Sequence, residues 1–217
     1  MGAHDAIQTE FLVLRKTPYA ESSLVLAGLS PEHGQLHFLV RGGRRIERRG
    51  PTPPDLFRVL AVEYTAGRSD LHTWRQADMV ADWGALARSP TAYAAACWLA
   101  AFTLGNTLPH APCPRYCHAL HIALQRLADS ATASNATPYI GSIAVVGACL
   151  VYLDESGLLP TYDDNPDDCR RRDRLVAMGE GIADPPSLDE NEWRALHQWT
   201  LALLQHAELR LPADPRP

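Results

Sequence analysis

A chain of 217 residues, 46% hydrophobic and 21% charged, is long enough to bury a sizeable core and too balanced in composition for a fibrous or disordered protein. Its net charge of −5 is unevenly spread: residues 1–80 hold ten Lys/Arg against nine Asp/Glu, and residues 81–217 hold ten against sixteen. No secretory signal is expected from MGAHDAIQTEF, the longest apolar run (Ile140–Leu153) is too short to span a bilayer, and five scattered cysteines fit reduced thiols, so a cytoplasmic protein without membrane contact is expected.

The first eighty residues read as β structure. Glu10–Arg15 (EFLVLR) and Ser22–Gly28 (SSLVLAG) are short apolar runs, and LSPEHGQ follows as a turn carrying Pro31 and Gly34. Leu36–Arg41 alternates, placing Leu36, Phe38 and Val40 on one face. Leu56–Thr65 is rich in Val, Phe and Tyr, and TAGRSD makes a loop around Gly67. Leu71–Asp78 alternates again, with His72, Trp74 and Gln76 sharing a face on which Trp74 is expected to be exposed. The prolines at 51, 53 and 54 exclude a central strand there and make a stiff connection between strands three and four. Five short strands in eighty residues have the size of an OB-fold barrel, and an SH3-like barrel fits the same count.

From about residue 80 the period changes to that of helices. Thr91–Asn106 and Pro114–Asp129 carry apolar residues at spacings of three and four, and Pro90 suits a first helical turn. Ser130–Thr137 is a polar loop. Tyr139–Glu155 is an almost wholly apolar helix stopped at Gly157. Ser187-Leu-Asp-Glu190 reads as a capping box opening a last helix to about His206, and Pro160–Pro186 as a loop with one short helix. The fold class is therefore α+β: a five-stranded barrel of OB-fold or SH3-like size over residues 1–80, followed by an all-α domain over 81–217.

The richest chemistry lies where the third strand ends. Between Arg41 and Arg49 there are five arginines and one glutamate, a local +4 on a chain of −5. Guanidinium groups pair with phosphate in a planar fork, and Gly42–Gly43 lets a backbone approach closely, so the run suits a polyanion. Arg15, Lys16, Arg58, Arg68 and Arg75 extend a basic groove if they converge, and Tyr19, Phe57, Tyr64 and Trp74 are the aromatic candidates for base stacking. Other clusters are weaker. His110, Cys113, Cys117, His118 and His121 include zinc-compatible ligands, but their spacing matches no common finger, and Cys117 and His121 equally fit the apolar face of a helix. Asp163–Asp168 lacks the central glycine and the final glutamate of a calcium loop, and Arg170–Arg174 directly follows it. No GxGxxG, Walker A, GxSxG, HExxH or paired CxxC occurs.

The order of short elements resembles the RecO family of bacterial DNA repair and recombination mediators. The resemblance rests on Val13-Leu14-Arg15, Pro18-Tyr19-x-Glu21-Ser22-Ser23-Leu24, Glu32-His33-Gly34-Gln35-Leu36, Val40-Arg41-Gly42-Gly43-Arg44-Arg45 and Gly67-Arg68-Ser69-x-Leu71. Past residue 80 it is mainly architectural, with Ser156-Gly157-Leu158-Leu159-Pro160 similar to the family's GLxP turn. It implies an N-terminal OB-fold and a helical domain that together bind single- and double-stranded DNA and anneal complementary strands. It also implies work with RecR and with the acidic C-terminal tail of single-strand-binding protein, loading RecA in the RecFOR repair pathway, without catalysis or cofactor. Arg41 stands where the family usually has Lys, and Cys169 is the one cysteine after the GLxP-like turn, which excludes the four-cysteine zinc module that many members carry there.

The expected DNA-binding residues are Arg15, Lys16, Arg41, Arg44, Arg45, Arg48, Arg49, Arg68 and Trp74; no catalytic residue, metal or cofactor is expected. Two other readings compete: an OB-fold adaptor that binds protein and not DNA, and an enzyme built on the His110–His121 cluster.

Overall fold

The structure is a computed structural model that describes residues 6–41, 54–65, 70–134, 137–161 and 166–213. The chain divides into two compact units. The first contains strands β1 (Ile7–Tyr19), β2 (Ser23–Ser30), β3 (Gly34–Val40), β4 (Arg58–Thr65) and β5 (Leu71–Asp82). They close into a barrel in the order β1-β2-β3-β5-β4, with β4 returning to β1. The β3–β5 junction is parallel and the other four are antiparallel. This is a mixed, OB-like barrel.

Alternation explains the interior. Phe11, Val13, Leu24, Leu26, Leu36, Phe38, Val40, Leu60, Val62 and Tyr64 form the barrel core. Phe38 lies at its centre, with ring centroids 4.9 Å from Phe11, 5.2 Å from Tyr64 and 5.6 Å from Trp74. Burying each such side chain is worth roughly 1.5–3 kcal/mol, so the barrel's stability is concentrated here. Strands β1 and β5 are longer than the sequence patterns mark, because their polar ends still find ladder partners on β2 and β4.

Residues 107–113 pack with this unit. Pro109 bridges to Gly34, the Gln35 N–H donates to Leu108 O (3.1 Å), and the His110 N–H donates to His33 O (2.9 Å). Gly34 has φ +67°, and a Cβ there would stand 2.4 Å from Leu108 O, so the turn requires glycine on both counts.

The second unit holds α1 (Pro90–Asn106), α2 (Pro114–Thr132), α3 (Ile140–Glu155), α4 (Pro166–Gly179) and α5 (Glu190–His206). Proline opens α1, α2 and α4, where its missing N–H costs nothing. The apolar helix α3 is the hub: it is buried continuously from Ile143 to Leu153 and packs on the other four. Its C-terminal Glu155 also caps α2, accepting from the backbone N–H groups of Arg115 (3.0 Å) and Tyr116 (2.8 Å). Those are first-turn donors with no partner inside their own helix.

Two readings of the helical part are corrected. The last helix is not capped at Ser187. Asp189 is the N-cap, accepting from Glu192 N (2.9 Å) while the Glu192 carboxylate accepts from Asp189 N (2.8 Å). The box is Asp-x-x-Glu, because an aspartate caps as well as a serine. Between residues 160 and 186 stands α4, fourteen residues long, and not a short helix in a loop. Its polar sequence hides it: Leu175, Val176, Met178 and Gly179 are its buried positions, all in the last turns.

Candidate nucleic-acid interface

The β1 strand carries a bulge that decides where its cations point. Val13 pairs with Gly28 and Arg15 with Ala27, so Leu14 is an extra residue in the ladder. Strict alternation from Phe11 and Val13 would turn Arg15 into the core. The bulge advances the pleat by one, and Arg15, Thr17 and Tyr19 emerge on the outer surface, all exposed. Gly28 is required opposite the bulge, since a Cβ there would lie 2.0 Å from Leu12 O.

The ladders then define an outward face over β1, β2 and β3. One row runs Arg15–Ala27–His37 and continues to Leu71 on β5; the next runs Thr17–Val25–Leu39; a third joins Tyr19 to Ser23. Tyr19 is 55% exposed, and Arg41 is exposed in the turn just after β3. Strand β3 therefore serves two sides: Leu36, Phe38 and Val40 inward, Gln35, His37 and Leu39 outward. In an OB-type barrel the face over strands two and three, with the loops after strands one and four, is the usual oligonucleotide surface.

The expected site residues are distributed as follows. Arg15 and Arg41 are free of ion pairs with the described residues of their unit and belong to or border this face. Lys16 sits on the opposite pleat and is held by Asp55 at 2.7 Å. Partial burial works to raise the Asp55 carboxyl, but the hydrogen bonds from Lys16 and from the Leu56 N–H outweigh it and hold the group below the usual carboxylate range. Arg58 leaves the groove altogether, hydrogen-bonded to Asp82 at 3.1 Å. Arg44, Arg45, Arg48, Arg49 and Arg68 lie outside the described residues.

The aromatic set sorts sharply. Phe57 and Tyr64 are buried, at 2% and 3% exposure, and Trp74 is half-buried with its ring against Phe38. The expectation of an exposed Trp74 is corrected: a β5 bulge between its pairing to Tyr64 and that of Gln76 to Glu63 breaks simple alternation, and the indole covers the mouth of the core. Tyr19 is the aromatic left standing on the face. Residue reading missed His37, Val25 and Leu39, although the alternation that places Phe38 inward also places them outward.

His37 and the buried His72 are both held below the ordinary imidazole range. For His37 the cause is burial, with the Arg15 guanidinium adding to it and Asp70 opposing. For His72 it is burial, opposed by Asp70 and reinforced by His110, His37 and His33.

Of the other clusters, Asp163, Asp164 and Asn165 lie outside the described residues, and Cys117 and His121 are packed in α2. Cys117 is buried, with its Sγ 3.9 Å from His121 Nε2, on the face that carries Leu120 and Leu124. Among the described residues no group of three or more His, Cys, Asp or Glu side chains is arranged to hold a metal ion. The α4 cations are partly neutralised: Arg170 pairs with Asp167, and Arg172 with Asp173 at 2.7 Å. Beside them, a groove of about 420 Å³ runs between α4 and α5, with Arg171, Arg172, Leu175, Leu196 and Trp199 in its walls. No helix among the described residues is long and apolar enough to cross a membrane.

The surface geometry thus defines an OB-like barrel whose outer face carries Arg15 and Tyr19, with Arg41 at its border. In comparison with known proteins, residues 4–83 match the family described as Recombination protein O N terminal, so the first unit is similar to that family. Curated relatives named DNA repair protein RecO, from Coxiella burnetii strains CbuG_Q212, CbuK_Q154 and RSA 493 / Nine Mile phase I, are each 37% identical over 59 residues, or 27% of this chain. The match spans 25% of the length of these relatives.

Proposed function

We propose that this chain is a non-catalytic recombination mediator of RecO type that binds DNA through its barrel. The observation that carries the reading is the β1–β3 outer face. Arg15 and Tyr19 stand exposed on it and Arg41 borders it; in the sequence Arg41 is followed by Arg44, Arg45, Arg48 and Arg49. Guanidinium groups neutralise phosphates and Tyr19 offers a ring to stack on a base, an interaction indifferent to sequence. Annealing then needs only that two strands meet with their repulsion screened, which asks for cations and no reacting group. The similarity of the N-terminal unit to that family supports a place in recombinational repair beside RecR and RecA in the bacterial cytoplasm. For the acidic tail of single-strand-binding protein the α4–α5 groove is the candidate surface: Arg171 and Arg172 line it beside Leu175, Leu196 and Trp199, with Asp168 and Glu192 opposing an acidic guest.

The test is fluorescence anisotropy of a labelled single-stranded oligonucleotide at several salt concentrations. Submicromolar binding at low salt is expected. The Arg44→Ala/Arg45→Ala double variant should lower the slope of log K against log salt by roughly 1.4, about 0.7 for each phosphate no longer neutralised. An unchanged slope removes the arginine segment from the interface. No binding by the unaltered protein at low salt makes the barrel a protein-docking module.

A further inference from the structure

The row Arg15–Ala27–His37 places two nitrogen side chains on neighbouring parts of one face, with only the small Ala27 between their strands. Gln35 lies beside them on β3, its Nε2 3.4 Å from His37 Nε2. Of these groups His37 alone changes charge between pH 5 and 8. We propose that His37 is a proton-dependent phosphate contact of this face, so that single-stranded DNA is held more tightly as pH falls from 7.5 to 5.5. The proposal rests on the reading of the face as a DNA interface.

The physical argument is linkage. A neutral imidazole offers one N–H; the imidazolium offers two, with a full charge. In the free protein the proton is disfavoured, because the ring is half-buried and Arg15 lies close. A phosphate laid along the row reverses the balance by placing a negative charge beside both cations. Binding then takes up a proton, and affinity must rise as protons become available. Among the described residues, the groups that face the ring are Arg15 from β1, Asp70 from the start of β5, the inward His72 on β5 and the uncharged Gln35 on β3. Strand β2 presents only Ala27 and Val25.

The experiment is oligonucleotide anisotropy from pH 5.5 to 8 at constant ionic strength. The unaltered protein should gain about fivefold to tenfold in affinity between pH 7.5 and 5.5, and His37→Gln should stay within about twofold. In Arg15→Gln, overall affinity should fall while the midpoint of the pH response moves upward, since one cause of the depressed protonation is gone. A merely structural role for either residue would not move that midpoint. Should His37→Gln fail to fold, the His37 ring proton resonance of the unaltered protein serves instead: its titration midpoint must rise on adding the oligonucleotide. Binding with an equal pH response in His37→Gln, or an unmoved resonance midpoint, overturns the proposal and leaves the DNA-binding reading intact. Absence of binding at every pH at low salt overturns both.

Discussion

The backbone of Gly179, at the end of α4, lies against the carbonyl of Gly147 in α3. A Cβ on Gly179 would stand 2.3 Å from that oxygen and 2.8 Å from Val151 Cγ2. Neither backbone can yield without parting the helices. Gly179→Ala should therefore cost about 2–3 kcal/mol of stability, read as a lower urea midpoint. Gly147→Ala should cost less. Its Cβ would meet the flexible end of Met178 at 3.2 Å and Gly179 Cα at 3.1 Å, and alanine recovers roughly 0.5–1 kcal/mol inside a helix. Equal costs would mean that the crossing is looser than this.

Tyr19 and Trp74 separate binding from packing. Tyr19 is 55% exposed, so Tyr19→Ala should leave the melting temperature nearly unchanged and weaken single-strand binding by about tenfold, in the lower-middle range for removing one stacked ring. Trp74→Ala should do the converse, since its ring packs 5.6 Å from Phe38 over the barrel core. Paired melting curves and anisotropy titrations check both, and a Trp74→Ala protein of full stability would return the indole to the candidate platforms.

The cap of α5 is testable at two positions. Asp189→Ala removes the oxygen that accepts from Glu192 N and should cost about 1 kcal/mol. Ser187→Ala should stay within roughly 0.5 kcal/mol. Chemical denaturation of the two variants distinguishes the aspartate box from the serine one.

Acid should weaken the helical unit through His121. Burial, with His118 adding to it, lowers its pKa from 6.5 to about 4. The unfolded chain therefore binds this proton more readily than the native state. The stability contribution is whole above pH 6.5 and is lost as pH falls towards 4. At about 1.4 kcal/mol per pKa unit, reduced for residual solvent exposure, the loss is roughly 2 kcal/mol. Urea midpoints at pH 7.5 and 4.5 should differ less for His121→Leu than for the unaltered protein, and an equal difference would place the acid sensitivity elsewhere.

What was legible in the residues was whatever depends on local period. Leu36, Phe38 and Val40 alternate, and they line the barrel; the apolar run from Ile143 to Leu153 has no polar face, and it is the hub of its unit. The same alternation already held His37 and Leu39 on the outside of β3. Chain-distant partners decided the rest. Arg15 faces outward because β2 pairs across a bulge at Leu14, and Lys16 is tied up because Asp55 returns beside it. Trp74 is half-buried because Phe38 comes from another strand, and α4 stands as a four-turn helix because its short apolar end meets Gly147 and Val151. Period is a property of one segment and can be read from it; register, bulges and ion pairs arise between segments, so only the folded chain settles which face a charged or aromatic side chain presents.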